Sequence, residues 1–290
     1  MIRYQITETE LHEKIESEKP GWLARAQERT DGFIAAGEYD EPSSIWSEIK
    51  RVYMHLQHDK CAYCERQLAA AEDGGTIEHD VEHFRPKNTV PEWPTASDDA
   101  SFDFDTGTRL ENGYYWLAYR PLNYCTSCKK CNSPLKSNYF PIARDRGSVA
   151  DDPAALTETE KPFLIYPLGD IDEDPETLIE FVGVLPKPVK RNGPRWRRAK
   201  VTIKFFRLDT REELIRERAR CLVALDNALA RIENDPSPDR REDAKNDVVR
   251  LRGAKSPHAS CVRCACRMYE THPLEMRELF RAAREFLDSE

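Results

Sequence analysis

The sequence predicts an α+β chain, mainly helical, in which a small zinc-supported core is flanked by helical segments. Three observations lead there. Two C-x2-C knuckles, Cys61/Cys64 and Cys128/Cys131, close the two ends of one stretch. Thiolates at that spacing wrap one face of a tetrahedral zinc ion. Between the knuckles, residues 76–84 (TIEHDVEHF) alternate as a strand does, with Ile77, His79, Val81 and His83 on one face and Glu78, Asp80, Glu82 and Phe84 on the other. Outside the knuckles, apolar residues recur at helical spacing. Ile45, Trp46, Ile49, Val52, Tyr53 and Leu56 do so upstream, and Ile215, Leu222, Leu225, Leu229 and Ile232 downstream. The chain divides accordingly into an N-terminal helical segment (1–58), a core (59–145) and a strand-then-helical region (146–290).

Taken in order, residues 1–6 alternate and suit a short strand, and residues 7–37 suit one or two helices broken near Pro20-Gly21. Ser43 or Ser44 can cap a helix over 43–58 that delivers the chain to Cys61. Its His55 and His58 are expected at the surface, since four thiolates already complete a zinc shell. Pro86 ends the strand, and residues 88–113, with Pro91, Pro94, an acidic run and Gly113, read as a loop. Residues 114–119 are a short buried aromatic element, and a short helix starts near Asn132, with Pro134 in its first turn. Residues 142–160 read as a polar connector, and 162–184 as strand, turn, strand around Phe163 to Pro167 and Leu178 to Val182. Thr210 and Glu213 have capping-box spacing at the start of a long helix that Pro236 and Pro238 interrupt. Three shorter helices follow, near 239–252, 257–270 and 274–288.

Composition narrows the function classes. The chain has 290 residues, 39% hydrophobic and 33% charged, which is a soluble globular composition. No apolar run nears the ~20 residues that span a bilayer. The opening MIRYQITETELHEK lacks a signal-peptide core. Nine cysteines without such a signal point to metal binding in a reducing cytoplasm rather than to disulfides. A net charge of −8 argues against indiscriminate nucleic-acid binding by the whole surface. Residues 187–207, however, hold nine Lys or Arg and no acid. There Arg195, Arg197 and Arg198 beside Trp196, Phe205 and Phe206 suit phosphate contact plus stacking. The alternative is a solvated edge facing an acidic partner.

The order CAYCE (61–65), VEHFRPK (81–87), YWLAY (115–119), Asn123, Cys128, Cys131-Asn132, Lys136 and Phe140-Pro141 resembles the HNH nuclease signature. More narrowly, it is similar to the HNH family associated with retrons and Septu anti-phage systems. The resemblance is dense over residues 45–142 and thin beyond. It implies a ββα-metal core and metal-dependent hydrolysis of phosphodiester bonds, most simply in DNA. His83 would be the general base and Asn123 would position it. Glu82 and Asn132 would bind the catalytic cation, and Cys61, Cys64, Cys128 and Cys131 a structural Zn2+. Arg85, Lys87 and Lys136 would contact nucleic acid. Oxygen donors favour Mg2+ or Mn2+, and Asn132 stands where many HNH nucleases place His. An ABC- or SMC-like ATPase is the implied partner, docking on the C-terminal helices.

Other readings stay open. Glu78-His79 is a second Glu-His pair, but only Glu82-His83 precedes the Phe-Arg-Pro-Lys run. Cys125 competes with Cys128 as a ligand and suits the core better. His258, Cys261, Cys264 and Cys266 can be read as a second metal site or as the packed face of a helix, with packing favoured. At the level of function, the alternatives are a zinc-stabilised nucleic-acid or protein adaptor without catalysis, and a nuclease acting on RNA or tRNA.

Overall fold

A computed structural model describes residues 1–290 except 97, 99, 150 and 290. The described residues are mainly helical, with two small two-stranded sheets. Helix α1 (Glu8–Glu18) starts at a capping box in which Thr7 and Glu10 each accept the other's backbone N–H. Helix α2 (Trp22–Ala36) ends at Gly37, whose φ of 78° suits a residue without a Cβ. The strand expected over 1–6 is only a bridge between Tyr4 and Leu168. The helix expected over 43–58 is a 3-10 turn, Trp46–Ile49, running into α3 (Lys50–Leu56).

Strands β1 (His79–His83) and β2 (Tyr124–Cys128) pair antiparallel, with Glu82 opposite Cys125 and His83 opposite Tyr124. Helix α3 clamps both strands. Its Gln57 side chain donates to Thr126 O at 2.8 Å and accepts from Thr126 N at 2.7 Å, as a neighbouring strand would. Lys50 donates to Thr76 O and His79 O at the start of β1. After β2 the chain turns into a short wide helical segment, Cys131–Lys136, with Pro134 inside it. The connection over 88–113 is pinned rather than loose. Val90 and Leu110 bridge, and Trp93, Phe102 and Phe104 pack in a row that ends on Phe163 and Phe205.

The polar connector contains a helix that its charge concealed, α4 (Pro153–Glu160), capped by Asp152 with Pro153 in its first turn. The expected hairpin lies later than its apolar runs suggest. It is β3 (Ile179–Val182) with β4 (Leu185–Pro188), while residues 163–167 are core without a strand partner. The basic stretch is the helix α5 (Gly193–Phe205). Helices α6 (Glu212–Asn234), α7 (Pro238–Arg252), α8 (Ala259–Thr271) and α9 (Pro273–Asp288) complete the chain close to the expected bounds. Buried apolar side chains from Leu11 in α1 to Phe280 in α9 form one connected core around the β1–β2 hairpin.

Candidate functional site

The four cysteines of the knuckles meet beneath the hairpin. Their sulfurs all lie within 4.8 Å of one another, and all four residues are buried. Zinc–sulfur bonds of about 2.3 Å give a tetrahedron with S–S edges of about 3.8 Å, and Cys64 and Cys128 Sγ stand 3.9 Å apart. The set can therefore hold a zinc ion. Arg211, at the entry to α6, donates from Nη1 to Cys131 Sγ at 3.2 Å, the outer-sphere contact that steadies a thiolate ligand. Cys125 stays apart, with Sγ on the Tyr63 hydroxyl at 3.6 Å. His258 pairs with Glu217, Cys261 donates to Gly183 O, and Cys264 accepts from Phe181 N. These groups diverge into the core, and among the described residues they form no ligand cluster.

At the end of β1, Glu82, His83, Lys87 and Asn132, with Trp46 from the N-terminal segment, line a cleft of about 260 Å³. The His83 ring is wedged edge-on between Trp46 (4.8 Å) and Tyr124 (4.9 Å). Its Nε2 lies 3.1 Å from Ala118 O. A carbonyl only accepts, so Nε2 carries the hydrogen and Nδ1 keeps a lone pair. Burial, helped by the Lys87 and Lys136 charges, pushes the imidazole well below its ordinary range, so it is neutral at pH 7.

Glu82 is 3% exposed. Its Oε1 forms a buried ion pair with Lys136 Nζ at 3.1 Å. Burial outweighs that attraction and lifts the carboxyl to about 6. A carboxylate and a side-chain amide lining one cleft offer oxygen donors, the kind a hard cation takes.

The other expected site residues are placed as follows. Among the described residues, Asn123 makes no hydrogen bond to the His83 ring. Its amide donates to Arg85 O and Leu117 O and accepts from Arg85 N at 2.8 Å, fixing the turn that presents Ala118 O to His83. Asn132 Nδ2 donates to Asp80 at 3.0 Å. Lys87 Nζ sits over the rings of Trp46 (4.7 Å) and Tyr39 (5.1 Å) at the cleft wall.

Arg85 and Lys136, expected to contact nucleic acid, are both fully buried. Arg85 pairs with Glu160 at 2.9 Å inside a box of Phe84, Tyr114 and Phe140. Lys136 faces Glu82 and His83 O. On α5, Arg198 turns inward to Asp172 and Leu164 O, and its side chain is 11% exposed. Arg195 is exposed and paired with Glu173, and Arg197 lies over Phe104. These arginines border a groove of mixed charge, with Arg144 and Lys161 beside Asp105, Glu158, Asp170, Asp172 and Glu173. His79 is buried with Nε2 on Ala69 O and does not line the cleft.

Sequence reasoning missed Trp46 as a wall of the cleft, the Ala118 carbonyl and Asp80. Strand alternation, which sets Asp80 two residues from Glu82, was the one available signal.

Among curated proteins, the chain is similar to Septu protein PtuB of Bacillus mycoides (strain KBAB4), at 29% identity over 188 residues. That alignment covers 64% of this chain and 54% of the relative, so the chain spans about half the relative's length. No protein-family model matches. No solved structure matches. Among the described residues, no helix is long and apolar enough to cross a membrane.

Proposed function

We propose that the chain is a metal-dependent HNH endonuclease of a Septu-like anti-phage system, cutting phosphodiester bonds in DNA. The observation that carries this is the cleft at the end of β1. There a neutral imidazole with a fixed tautomer stands beside a buried carboxylate, in a cleft that the Asn132 amide also lines. The similarity to a Septu protein supports the defence setting, and the strand–strand–helix order from β1 to Cys131–Lys136 is compatible with a ββα-metal core.

In this reading His83 Nδ1 takes a proton from a water molecule as the water oxygen bonds to phosphorus and the bond to the leaving oxygen breaks. Ala118 O and the two flanking rings hold the imidazole in place. Asn123 keeps that carbonyl in position through the backbone. Glu82 and Asn132 would hold Mg2+ or Mn2+, which when bound supplies positive charge for the phosphate and the leaving oxygen. Lys87 offers a cation at the mouth, while Lys136 balances Glu82 from behind. The four cysteines and their zinc fasten the hairpin to the helical segment after β2. From the same resemblance, an ABC- or SMC-like ATPase is the expected partner, and the C-terminal helices α6 to α9 are the proposed docking region.

The test is incubation of the purified zinc-loaded chain with plasmid DNA and with total RNA in Mg2+ or Mn2+, beside His83→Ala of equal zinc content. We expect DNA cleavage that falls about 10²–10⁴-fold in the variant. Cleavage of RNA alone would move the substrate to RNA. Equal activity in both proteins would remove His83 as the base. No activity in either, with the ATPase added, would favour the adaptor reading.

A further inference from the structure

We infer that Asp80 is a positioning residue for the cation site, fixing the Asn132 amide so that its carbonyl oxygen faces the cleft. The inference rests on the metal-dependent reading above and deepens it. Three observations carry it.

Strand alternation sets Asp80 on the same side of β1 as Glu82. Asn132 and Asp80 are in side-chain contact, Nδ2 to Oδ2, at 3.0 Å. A carboxylate only accepts hydrogen bonds, so the arm of the amide that faces it must be the NH2 group. The amide is planar and its two arms diverge, so its oxygen is turned away from the Asp80 carboxylate. A flipped amide would set a carbonyl against a carboxylate, two acceptors with no hydrogen between them.

The second oxygen of Asp80 is also engaged, by the ammonium of Lys129. Asn132 lines the cleft with Glu82, whereas Asp80 is not among the lining residues. Asp80 thus acts through the amide and not on the cation. Without it, Asn132 is free to present its NH2 group, which repels a cation. The other side chain of the site, Glu82, needs no such device, because both arms of a carboxylate are acceptors.

Mn2+ binding to the zinc-loaded chain, followed by the loss of the free-ion electron paramagnetic resonance signal, tests this without reference to cleavage. Asp80→Ala should weaken Mn2+ about 10–100-fold, the usual cost of losing an outer-sphere partner. Asp80→Asn should stay within a few-fold of the parent, because its carbonyl can accept the same bond. Asn132→Ala and the double variant Asp80→Ala/Asn132→Ala should bind alike, since nothing remains for Asp80 to orient. Unchanged binding in Asp80→Ala would overturn the inference while leaving the cation site standing. So would a further loss in the double variant, or a loss in Asp80→Asn as large as in Asp80→Ala. Absence of Mn2+ binding by the parent would remove the site and the inference together. Zinc content and the thermal midpoint report folding, and Asp80→Ser replaces Asp80→Ala if the latter loses zinc.

Discussion

At the scale of single residues, burial decides which charges are available. His83 is 8% exposed and held neutral. A base whose conjugate acid is destabilised stays competent as the pH falls through 6.5. The rate of cleavage should therefore hold from pH 8 to pH 6.5, with its acid limb lower still, and a pH–rate profile checks this. Asn123 works through backbone atoms, so Asn123→Ala should lower kcat by disordering the Ala118 carbonyl while keeping the same acid limb. Arg85 shows how a motif residue changes meaning once folded. Its guanidinium is paired with Glu160, which also accepts from Tyr114 OH at 2.7 Å and Gly147 N at 3.0 Å. Glu160→Ala should cost about 3–5 kcal/mol, because it leaves a buried cation without a counter-charge. Denaturant unfolding at pH 7 measures it.

At the scale of elements, the hairpin is too small to stand alone. Two five-residue strands bury little, and an isolated hairpin is marginal in water. The cysteine cluster ties the turn before β1 to the end of β2, and α3 supplies Gln57 as a surrogate strand edge. Arg211 couples the cluster to α6. Arg211→Ala should speed zinc release to a chelator about 10-fold or more, the size of an outer-sphere loss, and a colorimetric zinc indicator reads it. Helix ends were legible in part: Pro236 and Pro238 marked the break between α6 and α7, but the capping box expected at Thr210 and Glu213 does not form, since α6 starts after Arg211 without a side-chain cap. Helix α4 was not legible, because its charged exposed face hid a short buried one of Leu156, Thr157 and Glu160.

At the scale of the whole molecule, three imidazoles, His79, His83 and His258, are nearly inaccessible, and burial pushes all three below their usual 6.5. Each must gain a proton on unfolding once the pH drops below that value. Their contribution to stability is complete above pH 6.5 and is lost as the pH falls. Glu82, lifted to about 6, acts in the opposite sense, but only below that pH. The thermal midpoint should therefore be level from pH 8 to 7 and decline between pH 7 and 6, which calorimetry can follow.

The sequence by itself determined the helical periodicity, the four sulfurs, and the neighbourhood of Glu82 and His83. These are encoded in spacings of two to four residues that read the same in any context. Tertiary structure alone decided which charged groups face solvent. Arg85, Lys136 and Arg198 all look like phosphate ligands along the chain, yet each finds a carboxylate from another segment, Glu160, Glu82 and Asp172. It also decided what holds the His83 ring and the Asn132 amide, since Ala118 O and Asp80 come from segments 35 and 52 residues away from the groups they hold. A hydrogen bond needs two atoms within about 3 Å, and no local pattern records that distance when the partners are far apart in the chain.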